Sequence, residues 1–516
     1  MFLRLFLVLL RSHVALSVII PLQRRRDAHS TSVHVNTVAG DPYNFQNVNN
    51  SLYAGTIHVS GQPFLVQLDT GSSDLWLDTA EVSLSGTVNT GVYANISYAD
   101  ESTAQGNITL VDINFGDFTV KHQAFIDSPG SNATSNGATQ GLMGVGPLST
   151  SVIPDFLNRS GSAVNGSPFL FNVFNLYPNE PNYITFLLSR GGQFGTVDGG
   201  DFTIGEFVNN LSTIADAPKL PVTNPAAWVT WMSGVTVNGK QINYTAPSAD
   251  GLPAILDSGS TLGNVPVDVL HAIYGDLPGA VFDNDTSFYN ISCDTKMNIS
   301  FIFGGIEYPI HPLDAVYVPG DIVENGSPVC FSALYASEGP IALLGDMFLR
   351  NVYSLYDFGN WTEAGDAGPF MQLLSVLDQD EAWAEFDSLN HGRLQQALAQ
   401  INKSDQITTP KTTDNPPPTQ DIFGALSDNS VSSSSVDLSG LTRNMYIIVG
   451  LIAAVVLLLI VLVLATLLKG RGGDGKGSYS VVGLYGSTDR KEQKPLSLAT
   501  ERFSAESTTP YNDGGR

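Results

Sequence analysis

Cysteine is nearly absent from this chain. Its 516 residues include only Cys293 and Cys330, so at most one intramolecular disulfide can form. In a reducing compartment the two would be ordinary buried thiols. Outside the cytosol one disulfide is favoured; it would close a loop of roughly 38 residues and stabilise the fold by about 4 kcal/mol.

Basic residues are also scarce. Lys and Arg total 24 against 49 Asp and Glu, which gives a formal net charge of −25 and a pI near 4.4. Nothing in such a chain would neutralise phosphates, so nucleic acid is excluded as a partner. The sequence also lacks a metal-ligand cluster, a phosphate loop and a nucleotide fingerprint, so we expect no metal and no cofactor.

The residues that are abundant favour strands. The chain is 43% hydrophobic and contains 50 Gly, with many Val, Thr, Ser and Asn. From about residue 53 to 376, short alternating segments are broken by Gly, Asn, Asp and Pro, as in 53–59, 107–115 and 352–358. The pattern predicts an all-β body, and its length predicts more than one core.

One motif occurs twice. Residues 64–73 and 252–261 each carry an apolar strand that delivers an aspartate, Asp69 or Asp257, into a Thr/Ser-Gly-Ser turn. The repeat predicts two related lobes, each contributing a carboxylate to one cleft. Two adjacent carboxylates cannot both ionise, so the pair would share one proton and act as acid and base. A single Asp-Thr-Gly could be a plain surface turn, but two copies after apolar strands favour the site.

These motifs resemble the pepsin family of aspartic endopeptidases over about residues 53–376. The residues that carry the resemblance are Asp69-Thr-Gly-Ser-Ser-Asp-Leu-Trp76, Tyr98 within Ile96-Ser-Tyr-Ala-Asp100, Gly141-Leu-Met-Gly144, Asp257-Ser-Gly-Ser-Thr261, Leu343-Leu-Gly345-Asp-Met-Phe-Leu-Arg350 and the cysteine pair. The resemblance implies a bilobal all-β fold with the active-site cleft between the lobes, a disulfide between the two cysteines, and a monomer that acts on polypeptide substrates.

The resemblance also implies a role for each residue of the site. Asp69 and Asp257 would be catalytic. Thr70 and Ser258 would hydrogen-bond across the lobes, and Ser72 and Ser260 would orient the two carboxylates. The residues implied to bind substrate are Gly71, Tyr98, Asp100, Gly259 and Thr261.

The implied reaction is hydrolysis of a peptide bond by a water held between the two carboxyls, without a covalent intermediate. The resemblance implies that the hairpin around Tyr98 is a flap that closes over the substrate. This flap departs from the family's pattern, because Ala99 and Glu101 stand where glycine is common. Two alternatives remain: an inactive pepsin-like protein that only binds in the same cleft, and a β-rich adhesin whose motifs are coincidental. Both intact aspartates and their serine partners disfavour the first alternative.

Outside the catalytic body the composition changes several times. The predicted segments are a signal peptide at 1–20, a short pro-segment at 21–46, lobes at 47–215 and 216–376, a helical extension at 377–402, a Ser/Thr/Pro-rich stalk at 403–443, a transmembrane helix at 445–468 and a cytoplasmic tail at 469–516. An ordinary apolar N-terminus is the alternative to the signal peptide. Residues 24–26, three arginines, could be a processing site within the pro-segment, and the alternative is a solvated basic patch.

The membrane prediction depends on the uncharged run 445–468. About 24 residues of helix span about 36 Å, enough to cross the ~30 Å hydrocarbon core. Lys469, Arg471 and Lys476 follow the run, which places the C-terminus in the cytosol. Glycosylation sequons, Asn-X-Ser/Thr, all precede the run, at Asn49, Asn95, Asn107, Asn132, Asn158, Asn165, Asn210, Asn243, Asn284, Asn290, Asn298, Asn325, Asn360 and Asn402. We therefore expect a single-pass type I protein of the cell surface or vacuolar membrane.

Overall fold

The computed structural model describes residues 41–98, 102–133, 137–191, 196–319, 323–324, 327–362, 365 and 367–408, of which 323–324 and 401–408 are described by backbone alone. All of them belong to one compact unit within residues 1–413. The predicted signal peptide, transmembrane helix and cytoplasmic tail lie outside the described residues. So do most of the predicted pro-segment and most of the stalk.

Short strands dominate the described chain. The first part contains β1 Gln46–Val48, β2 Leu52–Val59, β3 Gln62–Asp69, β4 Leu75–Leu77, β5 Val88–Ser97, β6 Thr103–Phe115, β7 Phe118–Asp127, β8 Gly141–Gly144, β9 Tyr183–Leu188, β10 Thr196–Asp198, β11 Gly200–Ile204 and β12 Leu220–Pro221. The second part contains β13 Val229–Val237, β14 Lys240–Gln241, β15 Leu252–Leu256, β16 Gly263–Pro266, β17 Val281–Phe282, β18 Phe288–Ile291, β19 Ile299–Phe303, β20 Ile306–Ile310, β21 Val316–Tyr317, β22 Val323–Glu324, β23 Ser327–Pro328, β24 Cys330–Ser337, β25 Ala342–Leu344, β26 Val352–Asp357 and β27 Phe370–Ser375.

Helices are short except for the last. They are α1 Ile153–Arg159, α2 Phe169–Leu176, α3 Val267–Tyr274, α4 Asp346–Leu349 and α5 Gln379–Thr408, with 3-10 turns at Leu148–Thr150, Ser212–Asp216, Pro312–Ala315 and Gly359–Trp361. The prediction of a mostly β fold is confirmed.

The N-terminal lobe is built on one sheet, in the order β10-β1-β2-β3-β8-β4-β7-β6-β5. β6 alternates between buried and less buried residues, so one of its faces packs on the core, whereas β2, β4 and β8 are buried on nearly every residue. The β6–β7 hairpin turns at Gly116, whose φ of 55° lies in the left-handed region that glycine adopts without strain. β5 pairs with β6 of this hairpin and forms the edge of the sheet, and Tyr98 follows directly after β5.

The C-terminal lobe is built on a second large sheet, in the order β17-β18-β24-β16-β25-β15-β13-β19-β20. β14 pairs with β13, and β21 pairs with β24 beside this path. The predicted disulfide between Cys293 and Cys330 is present and confirmed, and it ties the start of β24 to the loop after β18.

A third sheet joins the two lobes. Its order is β11-β9-β26-β27-β12, so β11 and β9 of the first lobe lie side by side and continue directly into β26, β27 and β12 of the second. β9 pairs with β26 along its length, with Phe186 opposite Ser354. The boundary predicted near residue 215 therefore separates the two large sheets but passes through the middle of this shared one.

The last helix begins shortly after the last strand of the lobes. The Asp378 carboxylate accepts hydrogen bonds from the backbone N–H groups of Asp380 and Glu381, at 3.1 and 3.0 Å, and so caps the first turn of α5. One stripe of α5 is buried, at Ala382, Phe386, Asn390 and Ala397. α5 contains residues 379–402 of the predicted helical extension at 377–402 and continues for six more residues.

Candidate active site

Two equivalent strand ends position Asp69 and Asp257. β3 runs parallel to β8, with Asp69 opposite Gly144. β15 likewise runs parallel to β25, and Asp257 follows directly after Leu256, which lies opposite Leu344. Because each aspartate ends a buried central strand, its position is set by the sheet rather than by a mobile loop.

Two segments, residues 141–144 and 343–349, act as braces for the loops that follow Asp69 and Asp257. Each bracing segment passes so close to its loop that only glycine fits at the point of contact. A Cβ on Gly144 would lie 2.3 Å from the backbone nitrogen of Ser73. A Cβ on Gly345 would lie 2.1 Å from the carbonyl oxygen of Ser260. Real side chains do not approach backbone atoms this closely, so both braces press directly on the loops that they support.

Each carboxyl receives the same set of hydrogen bonds. The inner oxygen Oδ1 accepts the N–H of the glycine two residues on, at 2.7 Å from Gly71 to Asp69 and 2.9 Å from Gly259 to Asp257. The outer oxygen Oδ2 accepts a serine hydroxyl, at 2.7 Å from Ser260 to Asp257. Ser72 donates to Asp69 in the same way. These bonds fix the planes of both carboxyls.

The two loops are tied together across the lobes by Thr70 and Ser258. The Thr70 hydroxyl accepts the N–H of Ser258 at 2.9 Å and donates to the carbonyl of Leu256 at 3.0 Å. The Ser258 hydroxyl accepts the N–H of Thr70 at 3.1 Å and donates to the carbonyl of Leu68 at 2.9 Å. Both side chains are almost fully buried, so this arrangement resists relative movement of the aspartates.

The structure brings the two carboxyls face to face. A Cβ on Gly259 would lie 2.1 Å from the inner oxygen of Asp69 and 3.1 Å from that of Asp257. Burial, followed by the neighbouring charge of Asp257, raises the pKa of Asp69 above its usual range, while bonds from Ser72 and Gly71 oppose the shift. A carboxyl with a raised pKa holds its proton at a pH where an exposed aspartate has lost it. The pair can therefore hold one proton between its members.

Tyr98 stands at the end of β5 against Trp76. The indole Nε1–H of the fully buried Trp76 donates to the Tyr98 hydroxyl at 2.6 Å. The ring of Tyr98 packs on the small core cluster that contains Trp76. Asp100, together with Ala99 and Glu101, lies outside the described residues.

The remaining predicted residues surround the aspartates. Gly71 is exposed and Gly259 is half-buried. Because glycine has no side chain, both residues offer only backbone atoms to a bound substrate. A Cβ on Gly71 would lie 2.6 Å from the inner oxygen of Asp257 and would displace it. The Thr261 hydroxyl donates to the carbonyl of Ser51 in the other lobe, at 2.5 Å.

Sequence reasoning missed two groups beside the site. The Gln67 amide donates to the carbonyl of Gly259 at 3.1 Å and adds another link between the lobes. Asp346 is fully buried, neither of its carboxylate oxygens has a hydrogen-bond partner among the described residues, and burial raises its pKa well above the usual range. A charged residue inside the apolar bracing segment 343–349 was the available signal for Asp346.

Neither a metal site nor a membrane span is found among the described residues. No group of three or more His, Cys, Asp or Glu side chains in this part of the chain could hold a metal ion. No helix within the described ranges is long and apolar enough to cross a bilayer.

The fold and site define a two-lobed β protein with one buried aspartate from each lobe meeting in a central cleft. The family model for eukaryotic aspartyl proteases matches residues 52–363, more than half of the chain. The chain therefore belongs to the eukaryotic aspartyl protease family.

Curated relatives come from fungi and from an animal. An aspartic protease of Phaffia rhodozyma is 27% identical over 330 residues, covering 60% of this chain and 75% of the relative. Rhizopuspepsin-4 of Rhizopus niveus is 27% identical over 318 residues, covering 58% and 73%. Cathepsin E of Mus musculus is 28% identical over 335 residues, covering 60% and 78%.

Proposed function

We propose that this protein is an aspartic endopeptidase whose catalytic residues are Asp69 and Asp257. The observation that carries the proposal is the buried carboxyl pair, with its matched serine and glycine donors. Family membership supports the same class of reaction.

The reaction needs a pair that is half protonated. The ionised carboxyl takes a proton from a water between the two groups, and the water oxygen attacks the scissile carbonyl carbon. The protonated carboxyl donates to the carbonyl oxygen, which gives a tetrahedral gem-diol. In the collapse of the diol, the carboxyl that took the water proton gives it to the leaving nitrogen as the C–N bond breaks. The other carboxyl, now ionised, takes a proton from a diol hydroxyl, so the pair returns to its initial protonation state.

The surrounding residues take supporting roles in this proposal. Ser72 and Ser260 hold the outer carboxylate oxygens, and Thr70 and Ser258 keep the loops in register. Gly71, Tyr98, Asp100, Gly259 and Thr261 are the residues proposed to bind substrate. No cofactor is required by this chemistry.

Inhibition by a transition-state mimic tests the proposed activity. We expect the purified protein to cleave a denatured protein at about pH 4, where a shared-proton dyad works. A statine-containing peptide, whose hydroxyl occupies the position of the attacking water, should suppress cleavage. Cleavage that resists this inhibitor, or its absence across the acid range, would favour the alternative of a binding protein without catalysis.

The Trp76–Tyr98 hydrogen bond should matter for turnover. Tyr98→Phe and Trp76→Phe each remove this bond, and the first leaves a buried indole N–H unpaired. We expect each variant to lower kcat/KM by about tenfold, because the flap loses the contact that fixes its tyrosine. The double variant should lose no more than either single one, since both remove the same interaction. Multiplied losses in the double variant would show that the bond does not mediate the effect.

We further propose that the catalytic body lies on the lumenal or extracellular side of a membrane, anchored by residues 445–468 and acting on polypeptides there as a monomer. The burial of asparagines supports this placement. Every sequon asparagine whose burial is described is exposed or half-buried. The buried asparagines all lie outside sequons, at Asn44, Asn47, Asn172, Asn182, Asn264, Asn351 and Asn390. Carbonate extraction of membranes from cells producing the full chain and a chain ending at 443 would test the anchor.

A further inference from the structure

A cavity of about 530 Å³ lies between α5 and the two lobes. One wall is the Asn49–Ser51 turn of the N-terminal lobe, and another is Thr261–Leu262, directly after Ser260. Residues of α5 between 385 and 396 close the opposite side. This volume falls in the range of sites that hold a small molecule or several side-chain groups.

Three guanidinium groups line the cavity, from Arg190, Arg350 and Arg393. Asp314 is ion-paired with the first two, at 2.5 Å to Arg190 and 2.9 Å to Arg350. The only other lining carboxylate among the described residues, Glu385, is 44% exposed and bonds to His311 instead. The third guanidinium therefore has no carboxylate partner in the described part of the chain.

Arg393 is held by neutral oxygens alone. It donates to the carbonyls of Leu313 and Val316 at 2.9 and 3.0 Å, and to the Asn390 amide oxygen at 2.7 Å. Its Nε, like the Nε of Arg190, is buried without a hydrogen-bond partner among the described residues. Burial lowers the pKa of Arg393 to about 10; Asp314 opposes this shift and Arg350 adds to it. An incompletely paired buried cation is costly, and an anion in the cavity would relieve that cost.

We propose that this cavity binds a carboxylate of the polypeptide substrate, an acidic residue several positions from the scissile bond. The proposal rests on the peptidase function proposed above. Thr261, one of the residues proposed to bind substrate, lines the cavity and follows Asp257 by four positions, so the cavity adjoins the proposed substrate site. Guanidinium groups are the side chains best suited to carboxylates, because their planar N–H pairs match both oxygens.

Paired uncleavable peptides provide the direct test. Two peptides share a central segment with a reduced peptide bond and differ only at their ends, which carry Glu in one and Gln in the other. Their dissociation constants for the full-length protein are measured by calorimetry at about pH 5, where a peptide carboxylate near a guanidinium is ionised. We expect the Glu peptide to bind about tenfold more tightly.

A matched pair of arginine variants locates the effect. Arg393→Gln should reduce the preference for Glu to about twofold or less. Arg159→Gln is the control, because Arg159 is exposed on α1, where it contacts the exposed Asp155 and the ring of Phe156. The control should keep the full preference. An equal loss in both variants would indicate a general charge effect and would overturn the proposal.

A second pair of variants does not require removal of a buried arginine. Leu389 lines the cavity one helical turn before Arg393 and is 42% exposed. Leu389→Glu places a carboxylate beside that guanidinium, so it should raise the thermal midpoint relative to Leu389→Gln and remove the preference for the Glu peptide. Equal midpoints in the two variants would overturn the carboxylate site.

The outcomes separate the cavity from the peptidase function. Equal affinity of both peptides for the unmodified protein overturns the proposal. Stabilisation by free citrate without a peptide preference also overturns it, because the site then takes a free anion. If neither peptide binds, the proposed peptidase function fails as well, and the Leu389 midpoints still decide whether the cavity accepts a carboxylate.

Discussion

Asparagine in place of Asp69 or Asp257 is expected to lower kcat/KM for a quenched peptide by about ten-thousand-fold or more. An amide can neither accept a proton from water nor share one with the facing carboxyl. Asparagine matches aspartate in shape, so the serine and glycine donors can still bond to its oxygen. Because the two carboxyls act as one unit, the double variant should be no less active than either single variant.

The fold of these variants is expected to be unchanged. Circular dichroism and thermal unfolding in acid should match the unmodified protein, since at most one charge is present on the pair there. Asp155→Asn, on the exposed surface of α1, is the matched control and should keep full activity. A single active-site variant that retained more than about one-hundredth of the activity would contradict the shared dyad.

The local framework of this site could be predicted from sequence because each half is encoded within a few residues. Asp69, Gly71 and Ser72 are close neighbours, and the turn that joins them brings the N–H and hydroxyl donors to the carboxyl. Tyr98 and Trp76 both lie in motifs that carry the resemblance. The roles of these residues in catalysis stay predictions.

The shared third sheet was less accessible to sequence reasoning. Its strands β9 and β26 have the same alternating apolar pattern as strands of the lobes, yet they pair with each other across the two halves of the chain. Periodicity identifies a strand and its buried face, but it does not identify the partner strand. The lobe boundary predicted near residue 215 follows the order of the chain, so it passes between strands of this sheet.

The charged cluster at Asp314 gave no sequence signal at all. Asp314 lies in the short segment Pro312-Leu-Asp-Ala315, where an aspartate is an ordinary turn residue. Its partners Arg190 and Arg350 come from distant parts of the chain, and only the packing of both lobes brings them together. Arg350 also donates to the Asn50 carbonyl at 3.0 Å, so the cluster links the two lobes.

Asp314→Asn should therefore cost about 3–5 kcal/mol of stability at neutral pH. The substitution keeps the volume of the side chain but leaves the half-buried Arg190 and the largely buried Arg350 without their counter-charge. A fall in the thermal midpoint on the order of 10 °C is expected. Asp112→Asn is the matched control, because Asp112 pairs with Lys121 on the surface and its loss should change the midpoint little. An equal fall in the thermal midpoint for both substitutions would show that the Asp314 cluster stabilises the fold no more than a surface ion pair does.

The stability difference should also depend on pH with a definite sign. Burial alone would raise the pKa of Asp314, but the charges of Arg190 and Arg350 and the hydrogen bonds to the carboxylate hold it well below its usual range. A carboxyl whose pKa is lower in the folded state stabilises the fold above its unfolded pKa, about 3.9, and loses that contribution as the pH falls through the folded value. The gap between Asp314→Asn and the unmodified protein should persist at about pH 4 and close only in stronger acid. The cluster would then keep the lobes joined at the acidity where the carboxyl pair is proposed to work. A gap that closed already between neutral pH and about pH 5 would contradict this assignment.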